Sequence, residues 1–336
     1  MKQINIINKK LLKQTLFTVA YYNALGYYPT SFFIWKNFID IKGDGRVVSY
    51  DDVINMVDKL TDKNKIIEQN GMYKLNTQEL FGEQKNINGK NKLDDHKIFN
   101  WYKEQIQKDK ISVHKIKKVK KWAKLSRGIP YLRGLFLTGT LAMKRGDSGS
   151  DWDVLVVLAK NRIWLGRLIF TMWLEIVGKR RRGNKIENRF CLNQFVVDDK
   201  LKFKEKNEFF SNELLMSREL LGMVKLQKDI LQKNKHWIQM FKPNFQLRQI
   251  KNNEKKISYL KILQNKLEFF LELGGLAELL NNISKRLMIQ KIINNPKTYT
   301  PKADIRYSDF FLVFLPQPQR LKIRESVIKM LTKMKT

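Results

Sequence analysis

Apolar residues recur every three to four positions near the start of the chain, which is the spacing of one face of a helix. The face of the first predicted helix consists of Leu11, Leu12, Leu16, Val19 and Ala20. Pro29, Thr30 and Ser31 then offer a start for a second helix. Ser49, followed three residues later by Asp52, resembles a capping box and predicts the start of a third helix.

A hairpin signal follows the third helix. Asn70-Gly71 lies between the short runs Lys65–Ile67 and Met72–Leu75, and Asn-Gly is a strong signal for a two-residue turn. Three helices and a hairpin resemble a winged helix, so residues 1–75 are predicted to form a winged-helix-like module. Such modules bind DNA or act as protein–protein adaptors. Three aspartates in the third helix favour the second role, because they suit insertion between phosphates poorly.

The middle of the chain changes character twice. Residues 76–97 are polar and rich in Asn, Lys and Gly, which predicts a linker. Residues 98–125 then predict a long helix that carries nine lysines between Lys103 and Lys124. This basic face is either simply solvated, or it forms an electrostatic track that leads nucleic acid or another charged acceptor toward a site.

The following segment predicts strands with a helix between them. Residues 135–137 and 154–158 are short apolar runs that predict two strands. A more continuous apolar segment, residues 163–177, predicts a helix that packs on the sheet, and residues 190–197 predict a third strand. Together with the basic helix before it, this core is predicted to span residues 98–204.

The last third of the chain has mainly helical spacing. Residues 209–231 and 257–288 predict long helices, and residues 308–334 predict a short strand or turn followed by a basic helix. Residues 205–336 are therefore predicted to form a helical C-terminal domain. The expected fold class is α+β, with a small mixed sheet and helices at the centre.

The connection between the first two core strands carries candidate chemistry. Asp151 and Asp153 open the second strand, so their side chains face the same side, roughly 6.5 Å apart along the chain. Such a carboxylate pair suits Mg²⁺, which completes its shell with water and substrate phosphates. Gly139, twelve residues before Asp151, permits a close approach to a phosphate. A helix starting at Thr140 would turn its free N–H groups toward the same anion.

This segment resembles the nucleotidyltransferase superfamily that includes DNA polymerase beta and the minimal nucleotidyltransferases. The family motif is a strand, Gly-Ser, a short helix, and then Ser-Asp-x-Asp at the start of the next strand. The matching residues here are Gly139, Thr140, Ser150, Asp151 and Asp153. Lys144 stands where many members carry glycine. More broadly, residues 12–320 resemble multi-domain bacterial nucleotidyltransferase-domain proteins.

The resemblance implies a polymerase beta-like core that needs Mg²⁺ or Mn²⁺. It implies transfer of a nucleoside monophosphate from an NTP to an acceptor hydroxyl or phosphate, with release of pyrophosphate. Asp151 and Asp153 would hold the metal. The residues expected to lie against the phosphates are Gly139, Thr140, Ser150, Lys144 and Arg145.

The family also requires a third carboxylate, on the third core strand. Asn193 and Gln194 occupy that strand, and Asp198 and Asp199 follow only at its end. Either Asp198 or Asp199 substitutes, or two acids suffice, or activity is lost. In the last case the chain would be a catalytically degenerate nucleotidyltransferase fold that binds nucleic acid or nucleotide. A further alternative is an enzyme that attaches nucleotides to a partner protein.

Charge points to an anionic partner. The 336 residues include 65 Lys and Arg against 32 Asp and Glu, a formal net charge of +33. Such an excess predicts attraction to RNA, DNA, nucleotides or an anionic membrane face. An AT-biased coding sequence would also enrich lysine, asparagine and isoleucine, so charge alone does not identify the partner.

The few cysteines and histidines, and the lack of long apolar segments, exclude several kinds of site and location. Cys191 is the single cysteine, which excludes an internal disulfide framework, and it is expected to pack as a small apolar residue. The three histidines show no zinc-site spacing. Neither a signal peptide nor a membrane-spanning segment is predicted, so a cytoplasmic location is expected.

Overall fold

The computed structural model describes residues 2–76, 100–222, 224–246 and 259–333. Its helices are α1 Lys2–Ala24, α2 Ser31–Lys36, α3 Tyr50–Asp62, α4 Asn100–Leu125, α5 Gly139–Ala142, α6 Ile163–Ile176, α7 Glu208–Met216, α8 Val224–Phe241, α9 Tyr259–Glu272, α10 Leu276–Ile293 and α11 Gln319–Lys333. Its strands are β1 Ile66–Gln69, β2 Met72–Leu75, β3 Leu132–Leu137, β4 Trp152–Leu158, β5 Phe190–Val197, β6 Arg218–Leu221, β7 Asp304–Tyr307 and β8 Phe311–Leu315.

The N-terminal region contains the predicted three helices and hairpin. The hydroxyls of Thr30 and Ser49 each accept a backbone N–H three residues further on, at 3.2 and 3.0 Å, and so cap α2 and α3. Asn70 and Gly71 have φ of 52° and 74°, the two positive values that a tight hairpin turn requires. Of the predicted linker, only residue 76 lies within the described residues.

The core of the N-terminal region is completed by the other end of the chain. Val19 and Tyr22 of α1 belong to the same buried cluster as Ile323 and Val327 of α11. The loop before α3 is also joined to the segment that follows α8, because the backbone N–H of Val48 donates to Oδ1 of Asn244 at 2.9 Å. The first 75 residues therefore share their core with residues far away in sequence.

The central sheet has six strands in the order β6-β3-β4-β5-β8-β7. Only β4 and β5 run parallel; the other neighbours are antiparallel. The fold is thus mixed α+β with a mixed sheet, as expected. Strands β6, β7 and β8 come from residues 205–336, which the sequence predicted to be a helical domain with a short strand or turn only near residue 308; β8 lies at that point, whereas β6 and β7 were not predicted. The sheet crosses the predicted boundary after residue 204.

Two long helices predicted near the C-terminus are interrupted. Residues 209–231 divide into α7, strand β6 and the start of α8, because the residues of β6 pair with β3. The strand has only four residues, too few to be visible in the spacing of apolar residues. Residues 259–288 divide into α9 and α10 at Gly274 and Gly275, whose φ values of 62° and 74° do not fit a helix.

Helices cover both faces of the sheet. Alternate residues of β3 and β4 pack on one side against Ile116, Val119 and Ala123 of α4 and against α6, where Trp164 is fully buried. The intervening residues pack on the other side against α7 and α8. Met172 of α6, predicted to pack on the sheet, is instead 53 % exposed. Among the described residues, no helix combines the length and apolarity needed to cross a membrane.

Candidate functional site

A cavity of about 670 Å³ opens where β3, β4 and β5 meet α7 and the connection between β8 and α11. Four residues singled out in the sequence, Gly139, Thr140, Asp151 and Asp153, all line it. The reason lies in the sheet: β3 and β4 are antiparallel, so the end of β3 lies beside the start of β4. The backbone N–H of Thr138 donates to the carbonyl of Asp153 at 2.9 Å and fixes this junction.

Gly139 allows Asp153 to lie directly against the turn. Its φ is +66°, and a Cβ at this position would lie 2.6 Å from Oδ2 of Asp153. A larger residue would therefore displace the carboxylate as well as strain the backbone. Gly139 is therefore required for the position of the Asp153 carboxylate, and not only for the approach of a phosphate to the turn.

The Asp153 carboxyl is buried beside a second acid, and both effects disfavour its charged form. Burial, and then the neighbouring Asp151 carboxylate, raise the pKa of Asp153 to about 7. Side-chain ligand atoms of Asp151, Asp153 and Cys191 lie within 4.8 Å of one another. A cation bound between the two acids would favour the charged form of Asp153, which burial and Asp151 disfavour.

Arg181 partly balances this charge. Its Nη1 donates to Oδ2 of Asp151 at 2.6 Å and to Sγ of Cys191 at 3.1 Å. Burial, followed by the two aspartates, raises the pKa of the Cys191 thiol to about 12. Cys191 is buried, as expected, but it also takes part in the polar contacts of the site. Arg181 belongs to the basic run Lys179-Arg180-Arg181-Arg182, which directly follows α6.

Asn193 occupies the place of the expected third acid. Its Nδ2 donates to Oδ1 of Asp153 at 3.1 Å, and its own oxygen accepts from Sγ of Cys191 at 3.1 Å. Gln194 also lines the cavity. The adjoining strand therefore supplies amides at this point.

Asp198 and Asp199 lie at the opposite end of the sheet. Because β5 runs parallel to β4, its start pairs with the start of β4 and its end pairs with Leu158. Asp198 accepts from the backbone N–H of Lys160 at 3.0 Å and lies 3.7 Å from Nε of Arg133. Asp199 lies 3.6 Å from Nζ of Lys160. The seven residues of β4 separate them from Asp151, a distance of roughly 20 Å, so neither substitutes for the third acid.

Three predicted phosphate ligands do not line the cavity. The Ser150 hydroxyl donates to Asp147 at 2.8 Å and closes a local turn. Lys144 follows the short helix α5 with φ of 60°. Arg145 is only 6 % exposed and lies with its guanidinium 5.8 Å from the centre of the Tyr27 ring. Burial lowers the pKa of Arg145.

Two acids of the cavity were not predicted. Glu213 of α7 and Glu205 line it. Burial, and then Asp153 and Glu205, raise the pKa of Glu213 to about 8. No local motif marks Glu213, because it reaches the acid pair only through the packing of α7 on the sheet. The only available signal was that Glu213 directly precedes three apolar residues at the end of α7, Leu-Leu-Met.

Three cations of the C-terminal segments also line the cavity: Lys297, Arg320 and Lys322. Arg320 forms ion pairs with Glu205 and, at 3.1 Å, with Asp304. The lining of the cavity thus contains both carboxylates and cations. The lining also has apolar residues, among them Leu25, Met143, Phe209, Phe210, Met216 and Phe314.

A basic surface adjoins the cavity at Arg181. We define it as the exposed lysines of α4 and the cations of the segment 179–189: Lys117, Lys118, Lys120, Lys121, Lys124, Lys179, Arg180, Arg181, Arg182, Lys185 and Arg189. The two parts are neighbours, because Nζ of Lys179 lies 5.1 Å from the centre of the Trp122 ring. In the part of the chain that the structure describes, the five α4 lysines have no acidic group within 4.0 Å.

The ligand atoms of Asp151, Asp153 and Cys191 are close enough together to hold a metal ion. No protein-family model, curated protein or solved structure matches the chain.

Proposed function

We propose that this chain is a Mg²⁺-dependent nucleotidyltransferase, which moves a nucleoside monophosphate from an NTP to an acceptor and releases pyrophosphate. The observation that carries the proposal is the convergence of Asp151 and Asp153 with Gly139 and Thr140 in one cavity. Mn²⁺ is expected to serve as well, since it prefers the same oxygen ligands. The polymerase beta-like identity of the core is part of this proposal.

The acid pair fits the metal. Asp151 and Asp153 would hold it, and it would supply charge stabilisation at the phosphates. Arg181 contacts Asp151 at 2.6 Å. If a metal took over the charge of Asp151, the guanidinium of Arg181 would be free to pair with a phosphate oxygen.

The remaining groups position the nucleotide. The backbone of Gly139 and the hydroxyl of Thr140 would lie against the phosphates, and Lys297 and Lys322, which line the same cavity, would neutralise their charge. Glu213 supplies the carboxylate that β5 lacks. With its pKa of about 8, it is suited to accept the proton of an attacking hydroxyl. The apolar part of the lining receives the base.

The test is transfer of label from the α-phosphate. Each of the four NTPs, labelled at that position, is incubated with the protein, Mg²⁺ or Mn²⁺, and RNA, protein or small-molecule fractions of a cell extract. Label is expected to enter one fraction, and Asp151→Asn or Asp153→Asn should abolish its transfer. Unchanged transfer by both variants would refute the proposed role of the acid pair.

A second function is favoured by a specific observation. Asn193 and Arg181 already satisfy the two aspartates with a hydrogen bond and an ion pair, as in a site that no longer turns over. In that case the chain is a catalytically degenerate fold that binds nucleic acid through the basic surface. Binding of a polynucleotide without pyrophosphate release from any NTP would support this alternative.

A further inference from the structure

Asn212 presents an amide N–H to the cavity. It lies on α7, is 3 % exposed and belongs to the cavity lining. The nearest acceptor to its Nδ2 is the Sδ of Met143, at 3.8 Å. A thioether is a weak acceptor, so this amide keeps the capacity to donate to a stronger one. A buried polar group in this condition points to a ligand.

The orientation of this amide is fixed from the N-terminal helix. The hydroxyl of Tyr22 donates to Oδ1 of Asn212 at 2.6 Å, a distance typical of an O–H donor. Lys242 in turn donates from Nζ to the Tyr22 oxygen at 2.8 Å and to the carbonyl of Asn37 at 3.1 Å. The other acceptor near the Tyr22 hydroxyl is the carbonyl of Asn37, which is 3.5 Å away and already accepts from Lys242, so the hydroxyl proton is directed to Asn212. The amide nitrogen is thereby held on the cavity side.

The surroundings of Asn212 distinguish the part of a nucleotide that it would contact. Its neighbours in the lining include Met143, Phe209 and Met216, which are apolar, whereas the phosphate turn is formed by Gly139 and Thr140. A planar base with acceptor atoms at its edge fits an apolar pocket that contains one oriented donor. A phosphate would leave its charge facing side chains that cannot donate.

We propose that Asn212 donates a hydrogen bond to an acceptor atom on the base of the bound nucleotide, and that Tyr22 and Lys242 are positioning residues for it. The inference rests on the proposed function, since it assumes a nucleotide in this cavity. It gives the N-terminal helix α1 a part in base recognition. Removing the amide or its support should weaken base recognition and leave phosphate binding intact.

The test compares nucleotides with a ligand that lacks the base. Equilibrium affinities for ATP, GTP, CTP, UTP and inorganic tripolyphosphate are measured with Mg²⁺. Asn212→Ala should weaken binding of the preferred nucleotide by about tenfold, the value of one neutral hydrogen bond, and Tyr22→Phe by a few fold. Affinity for tripolyphosphate should not change. Tyr21→Phe is the matched control, because it removes a buried hydroxyl without a hydrogen-bond partner from the same helix.

The possible outcomes separate the two claims. The inference would be overturned, while the proposed function stands, if a variant lost as much affinity for tripolyphosphate as for the nucleotide. It would also be overturned if Asn212→Ala or Tyr22→Phe bound the nucleotide as tightly as the wild type does. A wild-type protein without affinity for any NTP would overturn the proposed function, and the inference with it. If Asn212→Ala does not fold, Tyr22→Phe decides, since it retains the ring that fills the core.

Discussion

Asn193 donates its side-chain N–H to Oδ1 of Asp153 at 3.1 Å, at the point of the sheet where a third carboxylate was expected. This contact supports one oxygen of Asp153 without adding charge. It also shows what a single substitution would restore, because an acid at position 193 would face the same oxygen.

Asn193→Asp is expected to tighten Mn²⁺ binding. A third carboxylate adds a hard, charged ligand in place of an amide, and we expect a gain of about tenfold or more in affinity. Titration of Mn²⁺ followed by electron paramagnetic resonance measures it. Asn161→Asp adds the same charge at an exposed position beyond the end of β4, and it should leave the affinity unchanged. Equal effects of the two variants would mean that position 193 does not face the metal.

Gly139→Ala should destabilise the fold and disturb the acid pair. The new Cβ would meet Oδ2 of Asp153 at 2.6 Å on a backbone with φ of +66°, and we expect a loss of about 2 to 4 kcal/mol in the free energy of unfolding. Gly178→Ala is the control, since Gly178 has φ of +65° and nothing within 4 Å of its Cβ position. It should cost about 1 kcal/mol. Urea denaturation measures both, and equal losses would contradict the proposed contact.

Stability should depend on the protonation of Asp153. Burial and the Asp151 charge raise its pKa from 3.8 to about 7, so the folded chain binds more protons than the unfolded chain between these values. The free energy of unfolding of the wild type should therefore fall, relative to that of Asp153→Asn, as the pH rises from about 4 to about 7. The difference should not exceed about 4 kcal/mol. Denaturation of both proteins in chelator, at several pH values, tests this; parallel curves would contradict it.

The basic surface should bind single-stranded polynucleotide. We expect a fourfold Lys→Gln variant in α4, at Lys117, Lys118, Lys121 and Lys124, to bind more weakly. The slope of log affinity against log salt should become shallower by up to about 3. A control variant removes the same charge from exposed lysines of the N-terminal region, Lys9, Lys13, Lys59 and Lys63. Fluorescence anisotropy with labelled RNA and DNA 20-mers measures both. Equal losses of affinity in the two variants would mean that binding depends only on net charge. If the α4 variant bound anionic vesicles more weakly but bound RNA and DNA normally, the partner would be a membrane.

Local signals in the sequence were sufficient for local structure. The Ser49 cap and the Asn70-Gly71 turn depend on neighbours within three residues, and both are confirmed. The acid pair was also predictable together with Gly139, because one hairpin of the sheet, β3 to β4, brings them together. The alternation of a strand determines which side chains face the cavity.

The rest depended on contacts between distant segments. Strands β7 and β8 are short, and only the pairing of β8 with β5 and of β7 with β8 distinguishes them from turns. Glu213 and Lys297 reach the cavity through packing that no sequence spacing encodes. Arg145 could not be assigned from its proximity to the motif, since its direction is set by Tyr27, a residue more than a hundred positions away.

The central claim is that Asp151 and Asp153 hold a metal that activates an NTP in this cavity. Release of pyrophosphate from the four NTPs, with Mg²⁺ and with excess chelator, tests it most directly when the wild type is compared with Asp153→Asn. The account predicts metal-dependent release from at least one NTP by the wild type, and a loss of that release in the variant. Release that continues in chelator, or that the variant retains in full, would contradict it.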